Sequence, residues 1–138
     1  MNHLWARLRR METPEYLRYT SEHEWAYLDG TSIKIGITDY AQDALGDVVY
    51  VDLPDLGKVF SAGDVFGEIE STKSVSELYA PVGGKVIEIN TELEDHPELV
   101  NSDPYGRGWL CVFEATNLSD YDSLLDAAGY QAVISAEQ

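Results

Sequence analysis

Cysteine and long apolar runs are the scarcest features of this sequence. One cysteine among 138 residues cannot form a disulfide within the chain. Cys111 falls in the apolar run 109–113, where a small buried thiol is the usual outcome and a reactive thiol is the alternative. No apolar run approaches the roughly 20 residues of a membrane-spanning helix, and none of signal-peptide type follows the N-terminal charges. We therefore expect a soluble, intracellular protein without membrane attachment.

Basic residues are also few. The chain has 9 Lys or Arg against 25 Asp or Glu, a net charge of −16. Three of the basic residues, Arg7, Arg9 and Arg10, lie in an N-terminal stretch that contains no acid. The acidic remainder repels nucleic acid and anionic membranes, so neither is expected as a partner. Partners with basic docking faces are favoured, although acidity that serves only solubility is the alternative.

Recognisable catalytic and metal-binding patterns are missing. The histidines His3, His23 and His96 have no metal-like spacing with each other or with Cys111. There is no nucleophile elbow, phosphate-binding loop or dinucleotide fingerprint. Carboxylate pairs occur by chance in so acidic a chain. We therefore predict no catalytic residues and no metal site, and we do not expect an enzyme.

The domain organisation is predicted to be simple. A chain of this length can bury a sizeable core in one domain. Residues 1–12 are interpreted as an N-terminal extension outside the fold, arising from translation or cloning, with a short targeting peptide as the alternative. Residues 13–138 form the single predicted domain.

The hydrophobic pattern is mainly that of short β-strands separated by glycine and proline turns. An Asp39 to Gln42 spacing that resembles a capping box predicts a short helix ending at Gly46. A second helix is predicted from Ser119 to a stop at Gly129, after a long irregular connection over residues 92–107. Many short strands with two small helices predict a barrel or sandwich and not βαβ units.

One segment is more informative than the rest. Lys73 lies midway between two predicted strands, among the small polar residues Ser71, Thr72 and Ser74. Such residues leave a turn tip open, so a modifying enzyme could reach the lysine amine. Taken alone, a turn lysine is most often a solvated surface charge. The surrounding sequence changes this interpretation.

The segment from Glu70 to Pro81 resembles the attachment site of the glycine cleavage system H-protein family. In that pattern Glu-Ser-x-Lys-x-x-Ser-Asp/Glu precedes Tyr-x-Pro and a glycine turn, and every position is filled here. The resemblance extends over roughly residues 17–133. Its other matching segments, in chain order, are residues 19–25, 36–42, 45–47 and 98–109.

The resemblance implies a barrel-sandwich hybrid fold, like that of lipoyl domains, and lipoate attached covalently to Lys73. Glu70, Ser71 and Glu77 complete the attachment motif. It also implies a carrier that takes an aminomethyl group from glycine decarboxylase to a tetrahydrofolate-dependent aminomethyltransferase, with reoxidation by dihydrolipoamide dehydrogenase. A lipoate ligase or a lipoyl/octanoyl transferase would load it. We expect a monomer in a bacterial cytoplasm, or in the mitochondrial matrix if the source is eukaryotic.

The resemblance further implies a surface cleft for the loaded arm, lined by Glu24, Tyr40 and Glu77. A carboxylate beside the ammonium of the cargo would form a charge-assisted contact. An ordinary strand-surface acid is the alternative for Glu24. Position 40 is often histidine in the family, and Asp is usual where Glu77 stands, so these departures bear on arm docking and leave the attachment motif unchanged.

Several other functions remain open from the sequence. An H-like protein could relay lipoyl groups to other lipoate-dependent enzymes. A lipoyl domain of a 2-oxo acid dehydrogenase would not need residues 23–25 or a C-terminal helix. Biotin sites usually have methionines beside the lysine, whereas this chain has only Met1 and Met11. A fourth possibility is an interaction protein that is never modified.

Overall fold

A computed structural model describes residues 12–137 of the chain. These residues contain nine strands: β1 (Arg18–Tyr19), β2 (Glu24–Asp29), β3 (Ser32–Ile37), β4 (Val48–Asp52), β5 (Val59–Phe60), β6 (Val65–Ser71), β7 (Val75–Tyr79), β8 (Gly84–Ile89) and β9 (Cys111–Ala115). They also contain four α-helices, α1 (Asp39–Leu45), α2 (Leu99–Ser102), α3 (Ser119–Asp122) and α4 (Ala127–Glu137), and a 3-10 turn at Thr91–Glu94. The long connection predicted to be irregular thus includes the 3-10 turn and α2.

The strands form two antiparallel sheets. One has the order β1-β2-β3-β9-β8-β5 and the other the order β4-β6-β7. Ile33, Ile35 and Phe113 of the first sheet share one buried core with Ile69 and Leu78 of the second. This two-layer arrangement confirms the predicted mainly β, sandwich-like fold with short helices.

Strand β2 serves both sides of the larger sheet. Ala26 belongs to the core between the sheets, whereas the neighbouring Trp25 packs on the opposite side against Tyr130 and Ile134 of α4. Successive side chains of a strand point to opposite faces, so Glu24 faces the same way as Ala26, toward the smaller sheet. The C-terminal helix is therefore fixed to the outside of the sheet near the point where β2 begins.

The predicted cap of α1 is displaced by one residue. The N-cap is Thr38, whose Oγ1 accepts a hydrogen bond from the backbone N–H of Ala41 at 3.2 Å. The predicted Asp39–Gln42 pair does interact, through Gln42 Nε2 and Asp39 Oδ1 at 2.7 Å, but within the first turn. Gly46 ends the helix as predicted, and its N–H donates to the carbonyl of Gln42 at 3.1 Å.

The predicted C-terminal helix from Ser119 to Gly129 is wrong in its bounds. The backbone of Leu125 instead pairs with Tyr19 through two hydrogen bonds of 2.8 and 2.9 Å, which separates α3 from α4. Gly129 lies in the first turn of α4, where its N–H donates to Asp126 Oδ1 at 2.8 Å. An Asp side chain that satisfies a free N–H is a helix-starting feature. Gly129 therefore lies just after the beginning of α4 and does not mark the end of a helix.

Cys111 was expected to be a buried packing residue. Cys111 is fully buried, and burial raises the pKa of its thiol, so the prediction of a packing role is confirmed.

Residues 1–11 of the predicted extension lie outside the described part of the chain. Glu12, the last residue of that extension, forms backbone hydrogen bonds with Asp39 Oδ2 at 3.1 Å and with the Tyr105 hydroxyl at 2.5 Å.

None of the helices in residues 12–137 has the length and apolarity needed to cross a membrane.

Candidate functional site

The hairpin between β6 and β7 presents Lys73 at its tip. The N–H of Ser71 donates to the carbonyl of Ser74 at 2.8 Å, which closes a tight turn. Ser71 Oγ is buried beneath this turn and accepts from the N–H groups of Lys73, at 3.3 Å, and Ser74, at 3.1 Å. A small hydroxyl side chain that accepts from nearby amides is a turn-forming device. Ser71 therefore shapes the turn from inside while the Lys73 side chain is exposed.

The turn rests on the loop that follows α1. The N–H of Thr72 donates to the carbonyl of Asp47 at 3.0 Å. Gly46 has φ +82°, and a Cβ at this residue would lie 3.1 Å from Cε of Lys73. A non-glycine residue would thus be strained and would also crowd the lysine. Gly46 therefore lies where the aliphatic part of the Lys73 side chain passes over the backbone.

A cleft begins directly beside this turn. It has a volume of about 380 Å³ and lies among α1, β7 and the start of β2. Its apolar lining residues include Ile37, Ala41, Leu45, Ile69 and Leu78. Volumes of this order are typical of small-molecule sites. The cleft can accommodate a hydrocarbon chain anchored close to Lys73.

The charged groups of the cleft are mainly carboxylates. They belong to Glu22, Glu24, Glu77 and Glu137, with His23 among them. None of the residues in 12–137 that line the cleft is Lys or Arg. An apolar surface with carboxylates and no fixed cation favours a ligand that is part hydrocarbon and part cation.

Glu24 is the most deeply placed of these acids. Its side chain is 1% exposed, so the alternative of a strand-surface acid is wrong. Oε1 accepts from Thr20 Oγ1 at 2.5 Å, and Oε2 accepts from the backbone N–H of Tyr79 at 3.1 Å. The carboxyl group thereby joins the beginning of β2 to the end of β7.

Burial changes the protonation behaviour of Glu24. Desolvation raises its pKa to about 7, although the hydrogen bonds from Thr20 and Tyr79 partly oppose this effect. The group therefore exchanges its proton near neutral pH. A cation brought into the cleft would favour the ionised form.

The other predicted cleft residues occupy two of its walls. Tyr40, in α1, is half-buried and lies against the ring of His23, with ring centroids 4.9 Å apart. Glu77, in β7, is exposed and accepts from the Tyr79 hydroxyl at 3.3 Å. The structure thus brings Glu24, Tyr40 and Glu77 together around one cavity.

Glu70 lies elsewhere. Along β6, Ile69 and Ser71 are buried while Glu68 and Glu70 are exposed. Glu70 therefore belongs to the outer face of the smaller sheet, next to the Lys73 turn and outside the cleft lining. Of the predicted attachment motif, Ser71 supports the turn from within and Glu70 flanks it from outside.

Several supporting residues were not singled out from the sequence. Asn101 accepts from the N–H of Val48 at 2.9 Å and donates to the carbonyl of Gly46 at 2.9 Å, which fixes the loop beneath Lys73. Thr20 binds Glu24, and His23 and Glu137 line the cleft. Thr20 has a local signal, because threonine hydroxyls favour turns, and its Oγ1 accepts from the N–H groups of Glu22 and Glu24 at 3.2 and 3.1 Å. Asn101 lies in the matching segment 98–109, but its contacts with Gly46 and Val48, like that of Glu137 with His23, join residues far apart in the chain, which no local pattern reveals.

Known proteins resemble this chain over nearly its full length. The family described as Glycine cleavage H-protein matches residues 17–137. The glycine cleavage system H protein of Anaeromyxobacter sp. (strain K) is 54% identical over 128 residues, which cover 93% of this chain and 100% of the relative. That of Thermus thermophilus is 51% identical over 127 residues, covering 92% of this chain and 99% of the relative.

A solved structure is similar as well. The crystal structure of a glycine cleavage system H protein from Mycobacterium marinum superposes with a TM-score of 0.82 at 41% sequence identity. The match covers 88% of this chain and 98% of the other.

Proposed function

This chain belongs to the glycine cleavage H-protein family, and on that premise we propose that it is the lipoyl carrier of a glycine cleavage system with Lys73 as its attachment residue. One observation carries the residue assignment. Lys73 is exposed at the tip of a turn that Ser71 organises, and a cleft of suitable character begins at the following residue, Ser74. A lysine so presented is open to a modifying enzyme, and the attached arm has a place to dock.

The cleft suits the lipoyl group. Its apolar residues, such as Ile37, Leu45 and Leu78, match a hydrocarbon stem, and Lys73 provides an amine for an amide linkage. When attached, the dithiolane would supply the disulfide that accepts an aminomethyl group, and the dithiol left after that group is released would be reoxidised to the disulfide by dihydrolipoamide dehydrogenase. The residues of this chain hold, shield and release that cargo, which is a carrier's role.

Glu24 and Glu77 are the proposed contacts for a cationic cargo, and Tyr40 closes the cleft from α1. Glu24 is buried and held by two hydrogen bonds, so its carboxyl group is fixed in place before any cargo arrives. A group held in this way needs little reorientation on binding, and a cation beside it would favour its ionised form. Glu77 is exposed, so its contribution is expected to be smaller because solvent screens it.

We assign four kinds of partner to this carrier. They are glycine decarboxylase, an aminomethyltransferase that uses tetrahydrofolate, dihydrolipoamide dehydrogenase, and a lipoate ligase or lipoyl/octanoyl transferase.

The relatives named above are bacterial, which supports a bacterial cytoplasm as the location. A monomer fits a protein that visits several enzymes in turn. The relay of lipoyl groups to other enzymes is not favoured, because the relatives are named for glycine cleavage.

The attachment residue is tested with two lysine variants. The unmodified protein is incubated with a lipoate ligase, ATP and lipoate, and intact mass is measured. The wild-type protein is expected to gain one lipoyl group, and Lys73→Arg is expected to gain none. The matched control Lys85→Arg, which changes an exposed lysine of β8, is expected to gain one lipoyl group. Lys73→Arg should change the free energy of unfolding by less than about 0.5 kcal/mol, since an exposed turn side chain contributes little. Lipoylation of Lys73→Arg would contradict the assignment.

A further inference from the structure

The last turn of α4 reaches the cleft, although its sequence shows no resemblance to an attachment or docking motif. Tyr130, Ile134 and Glu137 are spaced i, i+4 and i+7, so they lie on one face of the helix. The first two are buried against Trp25 and its neighbours on the outer side of the larger sheet. The third continues past the edge of that packing and lines the cleft. The face that anchors the helix therefore ends in a carboxylate at the cavity.

A chain of hydrogen bonds connects this helix to the other cleft walls. His23 Nε2 lies 3.1 and 3.2 Å from the two carboxylate oxygens of Glu137. His23 Nδ1 lies 2.8 Å from the Tyr130 hydroxyl, which in turn lies 2.6 Å from Thr38 Oγ1. Thr38 is the N-cap of α1, the helix that contributes Tyr40 and Ala41 to the cleft. His23 thus bonds to α4 at two residues and, through Tyr130, to the start of α1.

One set of bond directions satisfies all of these partners when the His23 ring is neutral. An ionised Glu137 can only accept, so His23 Nε2 carries a hydrogen. In a neutral ring Nδ1 then accepts from the Tyr130 hydroxyl, whose oxygen accepts from the Thr38 hydroxyl. Thr38 Oγ1 also accepts from the N–H of Ala41. A neutral His23 protonated at Nε2 therefore satisfies every link in the chain.

The backbone at His23 is unusual in a way that supports a positioning role. Its φ is +75°, and it is the one non-glycine residue in the described part of the chain with a positive φ. This conformation is costly for most side chains and is kept where the surroundings determine it. It turns the imidazole toward Tyr40, Tyr130 and Glu137 at the residue just before the buried Glu24.

We propose that α4 completes the arm-docking cleft, with His23 as the residue that positions its last turn and the Glu137 carboxylate as a further contact for the cationic cargo. This inference rests on the proposed function. Like Glu24 and Glu77, Glu137 lines a cavity whose described lining includes no Lys or Arg. Its side chain is 43% exposed, so its contribution is smaller than that of a buried contact.

Three variants separate positioning from charge. His23→Asn removes the bonds to Glu137 and Tyr130, and asparagine tolerates the positive φ better than most residues. Glu137→Ala removes both the anchor and the charge. Glu137→Gln keeps an oxygen that can accept from His23 Nε2 and removes only the charge. Glu88→Gln, an exposed glutamate of β8 outside the cleft lining, is the matched control.

Two measurements are made on each full-length protein. In the unmodified protein, amide hydrogen exchange in the last turn of α4 should become faster in His23→Asn and Glu137→Ala and stay unchanged in Glu137→Gln and Glu88→Gln. In the lipoylated and loaded protein, intact mass followed over time should show faster loss of the cargo to water, by roughly two- to fivefold, in all three cleft variants. Added salt should reduce the difference between wild type and Glu137→Gln, because it screens a charge contact.

The outcomes are distinguishable. If wild type loads and both Glu137→Gln and His23→Asn lose cargo at the wild-type rate, the inference is wrong while the proposed function stands. Unchanged hydrogen exchange in His23→Asn and Glu137→Ala would overturn the positioning role by itself. If wild type is not lipoylated or not loaded, the proposed function fails, and the inference fails with it.

Discussion

At the scale of single residues, Glu24 has two properties that oppose each other. Its position between β2 and β7 suits a cationic ligand, yet its burial disfavours the charge that would bind that ligand. Such a conflict is common where a site keeps a group for function at some expense in stability. The balance can be measured without any ligand.

The stability of the protein should depend on pH through Glu24. Burial raises the pKa of this group from an ordinary 4.5 to about 7, so the folded state keeps a proton that the unfolded state has released between these values. The free energy of unfolding therefore falls as pH rises through that window. Glutamine has no proton to lose, so the difference in unfolding free energy, Glu24→Gln minus wild type, should increase by roughly 2–3 kcal/mol from pH 4.5 to pH 8.

Urea unfolding at several pH values checks this expectation. Glu88→Gln, exposed on β8, corrects for the general effect of removing one carboxylate. A difference between Glu24→Gln and wild type that is the same at pH 4.5 and pH 8 would show that Glu24 is not protonated in the folded protein near neutrality.

At the scale of elements, the β6–β7 hairpin depends on Ser71 more than on any other side chain of its turn. Ser71→Ala leaves the N–H groups of Lys73 and Ser74 without their acceptor, which is expected to lower the free energy of unfolding by about 1–2 kcal/mol. A less ordered turn should also reduce kcat/KM for lipoylation, because the ligase must then fix the lysine itself. The control is Ser74→Ala, whose hydroxyl lies 3.4 Å from Ser71 Oγ and accepts from neither of those amides.

Initial rates of lipoylation and urea unfolding of both variants test this role. Equal rates and equal stability for Ser71→Ala and wild type would mean that the backbone alone determines the turn. Loss of both properties in Ser74→Ala as well would show that the turn needs a second hydroxyl, contrary to the contacts described above.

The elements also show how far the sequence could be interpreted. Strand β3 can be recognised from the sequence, because the alternating pattern of Ser32–Ile37 and the Asp29–Gly30 turn before it are local signals. The end of α1 at Gly46 was also predicted from a local signal, the glycine that follows the helix. The C-terminal helix was misplaced because the backbone pairing of Leu125 with Tyr19 joins residues more than a hundred positions apart.

The site residues also differ in whether local signals or long-range contacts determine their positions. The Lys73 turn is a contiguous motif, and its residues could be assigned from the sequence. The burial of Glu24 depends on the packing of the two sheets, which brings Tyr79 of β7 beside the start of β2, so the sequence left a surface acid as an open alternative. The contribution of Glu137 depends on a hydrogen bond to His23 across 114 residues. Contacts of that kind have no signature in a local window.

At the scale of the whole molecule, rigid and accessible parts are arranged side by side. Two packed sheets fix the positions of the Lys73 turn and the cleft, while the lysine itself is exposed. The chain carries 25 acidic residues against 9 basic ones, which favours brief encounters with partners that present basic faces. These features fit a carrier that must be recognised by several enzymes and released by each.

The central claim is that this protein carries the aminomethyl group of glycine cleavage on Lys73. The most direct measurement is the intact mass of the lipoylated protein before and after incubation with glycine decarboxylase and glycine, with Lys73→Arg treated in parallel. The account predicts that lipoylated wild type gains one aminomethyl group and that Lys73→Arg gains neither a lipoyl nor an aminomethyl group. A lipoylated wild-type protein whose mass does not change with glycine and the decarboxylase would contradict the carrier assignment.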